Sequence, residues 1–214
     1  MMVCFDGLPV SEEALRTANT LVQPVGTASV DLRLIEPLAY VPLNNLIAFK
    51  KRGGQILFAK SYLSAVDSDD ANVRRGYPLT EAQRRMYAEF DEPKPPVYGL
   101  YDPELDALVF STALEPINQE HLVLHEFGHA MTFHAWQLIA HQRADLLFGL
   151  PPQIADLLEL YPAGGELQAI STRVLEVLAE AYVWTVVGRF SELPGRLGRI
   201  VQDVLAGQNL RPTG

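Results

Sequence analysis

Hydrophobic and polar positions divide the chain into a first half of short segments and a second half with two long apolar runs. The first long run, residues 119–140, is apolar on nearly every side, which is typical of a buried helix. Asn118 is a suitable N-cap for this helix, and Glu120 falls in its first turn, where an acidic side chain stabilises the helix dipole. The second run, residues 172–187, has the same character. The pattern therefore predicts two buried helices in the second half.

The segments of the first half are shorter and carry both helical and strand patterns. Residues 28–36 alternate between apolar and polar side chains and predict a strand that ends before Pro37. Residues 97–101 and 107–111 are apolar runs joined by five residues, which predicts a hairpin directly before the first long helix. The other predicted segments are helices over residues 11–20, 42–52 and 80–90, and a strand over residues 55–59.

Together these segments predict an α+β domain with a small twisted sheet, a central helix and a helical C-terminal half. A chain of 214 residues is long enough to bury a substantial core as one domain. We expect residues 1–214 to form that domain, with the sheet in residues 1–111 and the helical part in residues 112–214.

Composition and charge argue against nucleic acid, a membrane span and an internal disulfide. A hydrophobic content of 48% and a charged content of 20% are typical of a globular protein. The net charge of −9 argues against nucleic acid as a partner, and no apolar run approaches the roughly 18 residues that span a bilayer. The single cysteine excludes an internal disulfide. No signal peptide is visible, so a cytoplasmic location is the default, although a secreted chain whose signal had been removed would look the same.

The central run contains the sequence His125-Glu126-Phe127-Gly128-His129. Residues four apart on a helix lie one above the other, so His125 and His129 would present their imidazoles to one point. Two neutral imidazoles at this spacing can share a zinc ion, and Glu126 can act as general base on a metal-bound water. Gly128 costs about 1 kcal/mol relative to alanine inside a helix, which indicates a close backbone approach or a lack of room above the metal.

The third ligand has to come from elsewhere in the chain. A catalytic zinc usually has three protein ligands, and no further histidine follows at the spacing HExxHxxGxxH, which predicts a carboxylate on a later element. Glu176 and Glu180 lie four apart on an apolar stripe, where a buried like-charged pair would repel. We predict that Glu176 ligates and that Glu180 accepts a hydrogen bond from a ligating imidazole. Glu166 is the alternative ligand, and His121 is predicted to lie at the surface or behind the ligands.

The HExxH sequence and the later run Glu176-Val177-Leu178-Ala179-Glu180-Ala181-Tyr182 together resemble a gluzincin-type HExxH zinc metallopeptidase. Among such peptidases, the chain resembles the group formed by the anthrax lethal factor catalytic domain and the bacterial Pro-Pro endopeptidases, and the similarity covers about residues 97–187. This resemblance implies a zincin-like fold, one zinc ion, and hydrolysis of a peptide or protein substrate. It implies zinc ligation by His125, His129 and Glu176, general-base catalysis by Glu126, and a supporting hydrogen bond from a ligand to Glu180.

One departure from that group concerns the oxyanion. The family has a tyrosine seven residues before the ligand glutamate, and here that position is Ala169. Tyr161, which we predict as catalytic, and Tyr182 are the substitutes that the sequence offers. Without such a donor the tetrahedral intermediate would lose roughly 3 kcal/mol of stabilisation.

The sequence is also compatible with other functions and with another group of relatives. One alternative is a metal-binding regulatory or toxin-like protein with one protein target and no general protease activity. Another is a non-catalytic module in which zinc only joins two halves of the core. The HExxH regulators that cleave repressors also use a glutamate on a following helix, but at a shorter separation. Two imidazoles and a carboxylate also accept several metals, so zinc is an expectation from the resemblance.

Overall fold

The chain forms helices around a four-stranded mixed sheet, in a computed structural model that describes residues 7–67, 79–91, 98–112, 118–139, 144–159 and 166–206. The strands are β1 (Val22–Pro24), β2 (Gln55–Ala59), β3 (Gly99–Asp102) and β4 (Ala107–Ser111). The α-helices are α1 (Glu12–Asn19), α2 (Leu43–Lys51), α3 (Tyr62–Val66), α4 (Glu81–Phe90), α5 (Gln119–Ile139), α6 (Pro152–Leu158), α7 (Glu166–Val186) and α8 (Gly195–Leu205). Short 3-10 helices cover Leu32–Leu34, Glu36–Tyr40, Ala144–Leu147 and Phe190–Glu192. This architecture is α+β, as the sequence predicts.

The sheet has the strand order β1-β2-β4-β3, with parallel pairing of β2 to both β1 and β4 and antiparallel pairing of β3 to β4. All residues of β2 and β4 are buried, because helices cover both faces of these central strands. One face packs against α1, α2, α5 and α7, and the opposite face against α3 and α4. Helix α5 therefore packs directly against one face of the sheet.

The free side of β3 follows from its register with β4. The Ser111 N–H donates to Tyr98 O at 3.2 Å, so Tyr98 and Ser111 form a hydrogen-bonded pair. Hydrogen-bonded and non-hydrogen-bonded pairs alternate in an antiparallel ladder. Gly99 and Tyr101 consequently direct their backbone N–H and C=O groups away from β4. Among the residues that the structure describes, no other strand pairs with this edge.

Several predicted elements are confirmed, and one is wrong. The hairpin, the strand over Gln55–Ala59 and the helices near residues 11–20, 42–52, 80–90 and 119–140 are present. Residues 28–36 do not form the predicted strand. They are irregular up to Asp31 and then form 3-10 helices at Leu32–Leu34 and Glu36–Tyr40. Asp31 accepts a hydrogen bond from Arg33 N at 3.0 Å, and Pro37 fixes the backbone of the second turn, so local capping overrides the alternating pattern. The first strand of the chain is instead β1, which lies before this segment, at Val22–Pro24.

The two long helices predicted for the second half are present as α5 and α7. Helix α7 begins at Glu166, which is earlier than the predicted residue 172. Neither α5 nor α7, nor any other helix in the described ranges, is long and apolar enough to cross a membrane.

Candidate metal centre

Helix α5 positions three of the predicted site residues. Its start is capped by Asn118, whose Oδ1 accepts from His121 N at 3.3 Å. One turn separates His125 from His129, and their ring centroids are 4.7 Å apart with nearly perpendicular planes. His125, Glu126 and His129 are each only 8% exposed. The helix thus holds two imidazoles and a carboxylate in a buried position.

Helix α7 brings Glu176 to these imidazoles. Glu176 Oε2 lies 3.0 Å from His125 Nε2 and 3.4 Å from His129 Nε2. The three donor atoms lie within 4.8 Å of one another, which is compatible with one ion between them. Two imidazole nitrogens and one carboxylate oxygen are also a donor set that zinc accepts in catalytic sites. The structure therefore gathers the three predicted ligands, and this buried cluster could hold a metal ion.

The charges around the cluster fit a bound cation. Glu126, Glu176 and Glu180 are all buried, and within the described part of the chain no lysine or arginine forms an ion pair with them. Burying three carboxylates is costly unless positive charge accompanies them. A divalent cation at the cluster would supply that charge.

The pKa values of His125 and Glu176 are shifted by burial and by the contacts between these two groups and their neighbours. Burial alone lowers the pKa of His125, but its hydrogen bonds with Glu176 and Glu180 outweigh burial and raise that pKa well above its usual range. Burial alone raises the pKa of Glu176, but contacts with His125 and His129 hold that pKa well below its usual range. The chain by itself thus favours a proton between these groups. Metal ligation would displace this proton, because a ligating imidazole has to be neutral.

Glu126 lies between the cluster and the free edge of β3. Its Oε2 accepts a hydrogen bond from the backbone N–H of Tyr101 at 2.8 Å. Burial raises the pKa of Glu126 above its usual value, a direction that suits a general base at neutral pH. At Gly99 a Cβ would lie 2.8 Å from the Phe110 ring, which is too close for a side chain, and 3.6 Å from Glu126 Cγ, which is an ordinary van der Waals contact. The hairpin therefore holds one carboxylate oxygen of Glu126 through the backbone of Tyr101.

Glu180 lies one turn after Glu176, behind His125. Its Oε2 accepts a hydrogen bond from His125 Nδ1 at 3.3 Å, and its Oε1 accepts one from Trp184 Nε1 at 3.1 Å. Burial raises the pKa of Glu180 on its own, but the imidazoles of His121 and His125 lower it to about 2. The structure thus places Glu180 where its predicted supporting role requires, and that role stays a prediction.

Gly128 lies at a close contact between α5 and α7. A Cβ at this position would be 2.7 Å from Ala179 O and 3.0 Å from Ala179 Cα. Both atoms belong to the backbone of α7, so no side-chain rotation could relieve the overlap. The close backbone approach that the sequence indicated is present, and it lies beside Glu176 and Glu180.

Sequence comparisons add no family to this geometry: neither a protein-family model nor a curated protein matches the chain. Among solved structures, the chain is similar to the Pro-Pro endopeptidase from Paenibacillus alvei. That similarity has a TM-score of 0.40 and 13% sequence identity, and it covers 90% of this chain and 100% of the other. At this level of similarity the comparison assigns no function to the chain.

The sequence offered three further candidates, which are Tyr161, Glu166 and Tyr182. Tyr161 falls outside the described residues, so its catalytic role stays a prediction. Glu166 opens α7, ten residues before Glu176, but its side chain lies outside the described part of the structure, so its role as the alternative ligand stays a prediction. Tyr182 is fully buried, and its hydroxyl donates to Asn45 Oδ1 at 3.0 Å. The hydroxyl of Tyr182 therefore serves a hydrogen bond inside the core.

We expect Tyr182→Phe to lower the free energy of unfolding without changing metal affinity. The substitution removes the donor to Asn45, whose buried Oδ1 would then lack this partner, at a cost of about 1–3 kcal/mol. Urea unfolding and a zinc titration on the same sample would measure the two effects. Weaker zinc binding at unchanged stability would contradict a core role for Tyr182.

Sequence reasoning missed the contacts that attach the hairpin to α5. Arg52 Nε lies 2.5 Å from Asp106 Oδ2, and another guanidinium nitrogen lies 2.5 Å from Ala130 O. Asp106 Oδ1 also accepts a hydrogen bond from the Tyr101 hydroxyl at 2.8 Å. Arg52 thus joins the end of α2, the hairpin and α5, and helps keep Tyr101 N beside Glu126. The only sequence signal was the position of the hairpin directly before the HExxH helix.

Proposed function

We propose that this chain is a zinc-dependent endopeptidase in which His125, His129 and Glu176 bind one zinc ion. The observation that carries the proposal is the convergence of these three side chains from α5 and α7, with Glu126 beside them. When bound, zinc would polarise the substrate carbonyl and lower the pKa of a water molecule, which is the nucleophile for hydrolysis.

In this proposal Glu126 transfers the proton. One of its carboxylate oxygens is held by Tyr101 N–H, and the other makes no hydrogen bond within the described residues. The free oxygen can accept a proton from the attacking water and then deliver it to the leaving amine. The buried position raises the basicity of Glu126, because desolvation disfavours its charged form.

A peptide substrate is supported by the free edge of β3. Gly99 and Tyr101 direct backbone groups away from β4, and the N–H of Tyr101 is used by Glu126. The remaining outward groups, which are the N–H and C=O of Gly99 and the C=O of Tyr101, match the hydrogen-bonding pattern of an extended peptide. Such a peptide would pass directly beside Glu126.

Metal content of the purified chain tests this function most directly. We expect close to one zinc per chain by mass spectrometry, and loss of that zinc in both His129→Ala and Glu176→Ala, because each variant removes one of three ligands. Glu120→Ala is the matched control, since Glu120 is an exposed acid on the same helix as the histidines.

The outcomes separate the parts of the proposal. Zinc retained in Glu176→Ala would assign the third ligand to another residue. No zinc in the wild type, even after incubation with zinc, would contradict the metallopeptidase proposal. If the expected pattern is found, a fluorogenic peptide library then tests for peptide hydrolysis, and its absence in the zinc-loaded wild type would count against general endopeptidase activity.

A further inference from the structure

His121 contacts the far side of the candidate metal centre. We propose that His121 is a positioning residue, which holds Glu180 in the orientation that accepts a hydrogen bond from His125. This inference rests on the proposed function, because it assumes that His125 binds the metal. Its basis is the distance of 3.1 Å between His121 Nε2 and Glu180 Oε2, the same oxygen that contacts His125 Nδ1.

The carboxylate of Glu180 is surrounded by three donors. His121 and His125 contact Oε2, and Trp184 Nε1 donates to Oε1. Glu180 is only 4% exposed, so these donors replace the water that an exposed carboxylate would bind. His121 comes from the first turns of α5, whereas Trp184 belongs to α7 together with Glu180. His121 is therefore a second contact, besides that of His125, between Glu180 and the helix that carries the proposed ligands.

The orientation of Glu180 matters because it determines the state of His125. When Nδ1–H donates to a carboxylate, Nε2 carries the free lone pair, which here faces Glu176 and His129. The Nδ1 atom of His129 is buried and has no hydrogen-bond partner within the described residues. Of the two imidazoles, His125 is thus the one that an outer hydrogen bond anchors. A change in the orientation of Glu180 would therefore weaken the hydrogen bond that orients His125.

The same three residues could instead be regarded as a second cation site, since donor atoms of His121, His125 and Glu180 lie within 4.8 Å of one another. A cation there would need the lone pair of His125 Nδ1, while the proposed zinc needs the lone pair of Nε2. A neutral imidazole has only one nitrogen without a proton. A hydrogen bond to Glu180 is therefore the arrangement that leaves His125 competent for the first site.

Zinc affinity of His121 variants tests the proposal. The amide nitrogen of glutamine can reach about the position of histidine Nε2, whereas the shorter asparagine cannot. We expect zinc affinity to fall about tenfold or more in His121→Ala and His121→Asn, and to stay within about twofold of the wild type in His121→Gln. Competition with a chromogenic chelator measures these affinities. Gln119→Ala, a truncation in the same turn, is the control that should leave zinc affinity unchanged.

Unfolding of the chelator-treated variants shows whether any loss reflects misfolding. If His121→Gln binds zinc as weakly as His121→Ala, or if all three variants bind like the wild type, the positioning role is overturned. It is also overturned if the wild type binds two zinc ions and His121→Ala binds one, since His121 would then be a ligand. A wild type that binds no zinc would overturn the proposed function as well, whereas unaffected variants of a zinc-binding wild type overturn only this inference.

Discussion

Peptide hydrolysis is expected to be lost in Glu126→Gln, while zinc remains bound. Glutamine has the same shape, and its side-chain oxygen can still accept the hydrogen bond from Tyr101 N, so the variant should keep the geometry of α5 and β3. It cannot accept the proton of the attacking water, and removal of a general base typically lowers the rate by about 10²- to 10⁴-fold. The measurement is kcat on a peptide found by library screening, with zinc content determined on the same preparation.

The matched control for this experiment is Glu120→Gln, which makes the same chemical change at an exposed position of the same helix. It should retain wild-type kcat and zinc content. Wild-type kcat in Glu126→Gln with zinc bound would exclude Glu126 as the base. If neither the wild type nor the variant hydrolyses any peptide although both bind zinc, a metal-binding module that joins α5 to α7 becomes the better explanation.

The histidine and glutamate cluster could be predicted from the sequence because its residues have helical spacing. His125 and His129 are one turn apart on a run with a clear N-cap, so both the helix and its convergent face can be inferred locally. Glu176 could be selected because two acids on an apolar stripe need a positive partner. The structure places Glu176 on the two imidazoles, and its ligation of zinc stays a prediction.

The sheet was harder to predict because its strands are short and their environments differ. The β1 strand has only three residues, too few for an alternating pattern to be recognised. Residues 28–36 do alternate, but an Asp31 cap and Pro37 direct the chain into 3-10 turns. By contrast, β2 and β4 were recognised as apolar runs, which reflects their burial on both faces.

Contacts between distant segments had little or no sequence signal. The pair Arg52–Asp106 joins residues 54 positions apart, and nothing local to either residue indicates the other. The contact of His121 with Glu180 could have been found by one further step. His121 precedes His125 by one turn and Glu180 follows Glu176 by one turn, so antiparallel packing of the two helices brings both pairs together.

Zinc affinity and stability are both expected to fall in Gly128→Ala. The added methyl group would overlap Ala179 O, and because this atom belongs to the backbone, α5 and α7 would have to separate locally. Forcing a methyl group into a packed interior typically costs about 1–3 kcal/mol, from which the better helix propensity of alanine recovers about 1 kcal/mol. Zinc affinity should suffer more, since Ala179 lies between Glu176 and Glu180 and any shift of α7 moves the third ligand.

Gly195→Ala is the matched control for this prediction, because Gly195 is an exposed helical glycine whose added Cβ would meet nothing within 4 Å. Thermal unfolding with and without zinc, together with a chelator competition, would separate the two effects. A larger loss of stability with zinc than without it would mean that the tight contact serves the ligand geometry more than the core. Unchanged zinc affinity in a destabilised Gly128→Ala would mean that Glu176 can follow the imidazoles when the helices separate, and equal behaviour of both variants would exclude a requirement for glycine at position 128.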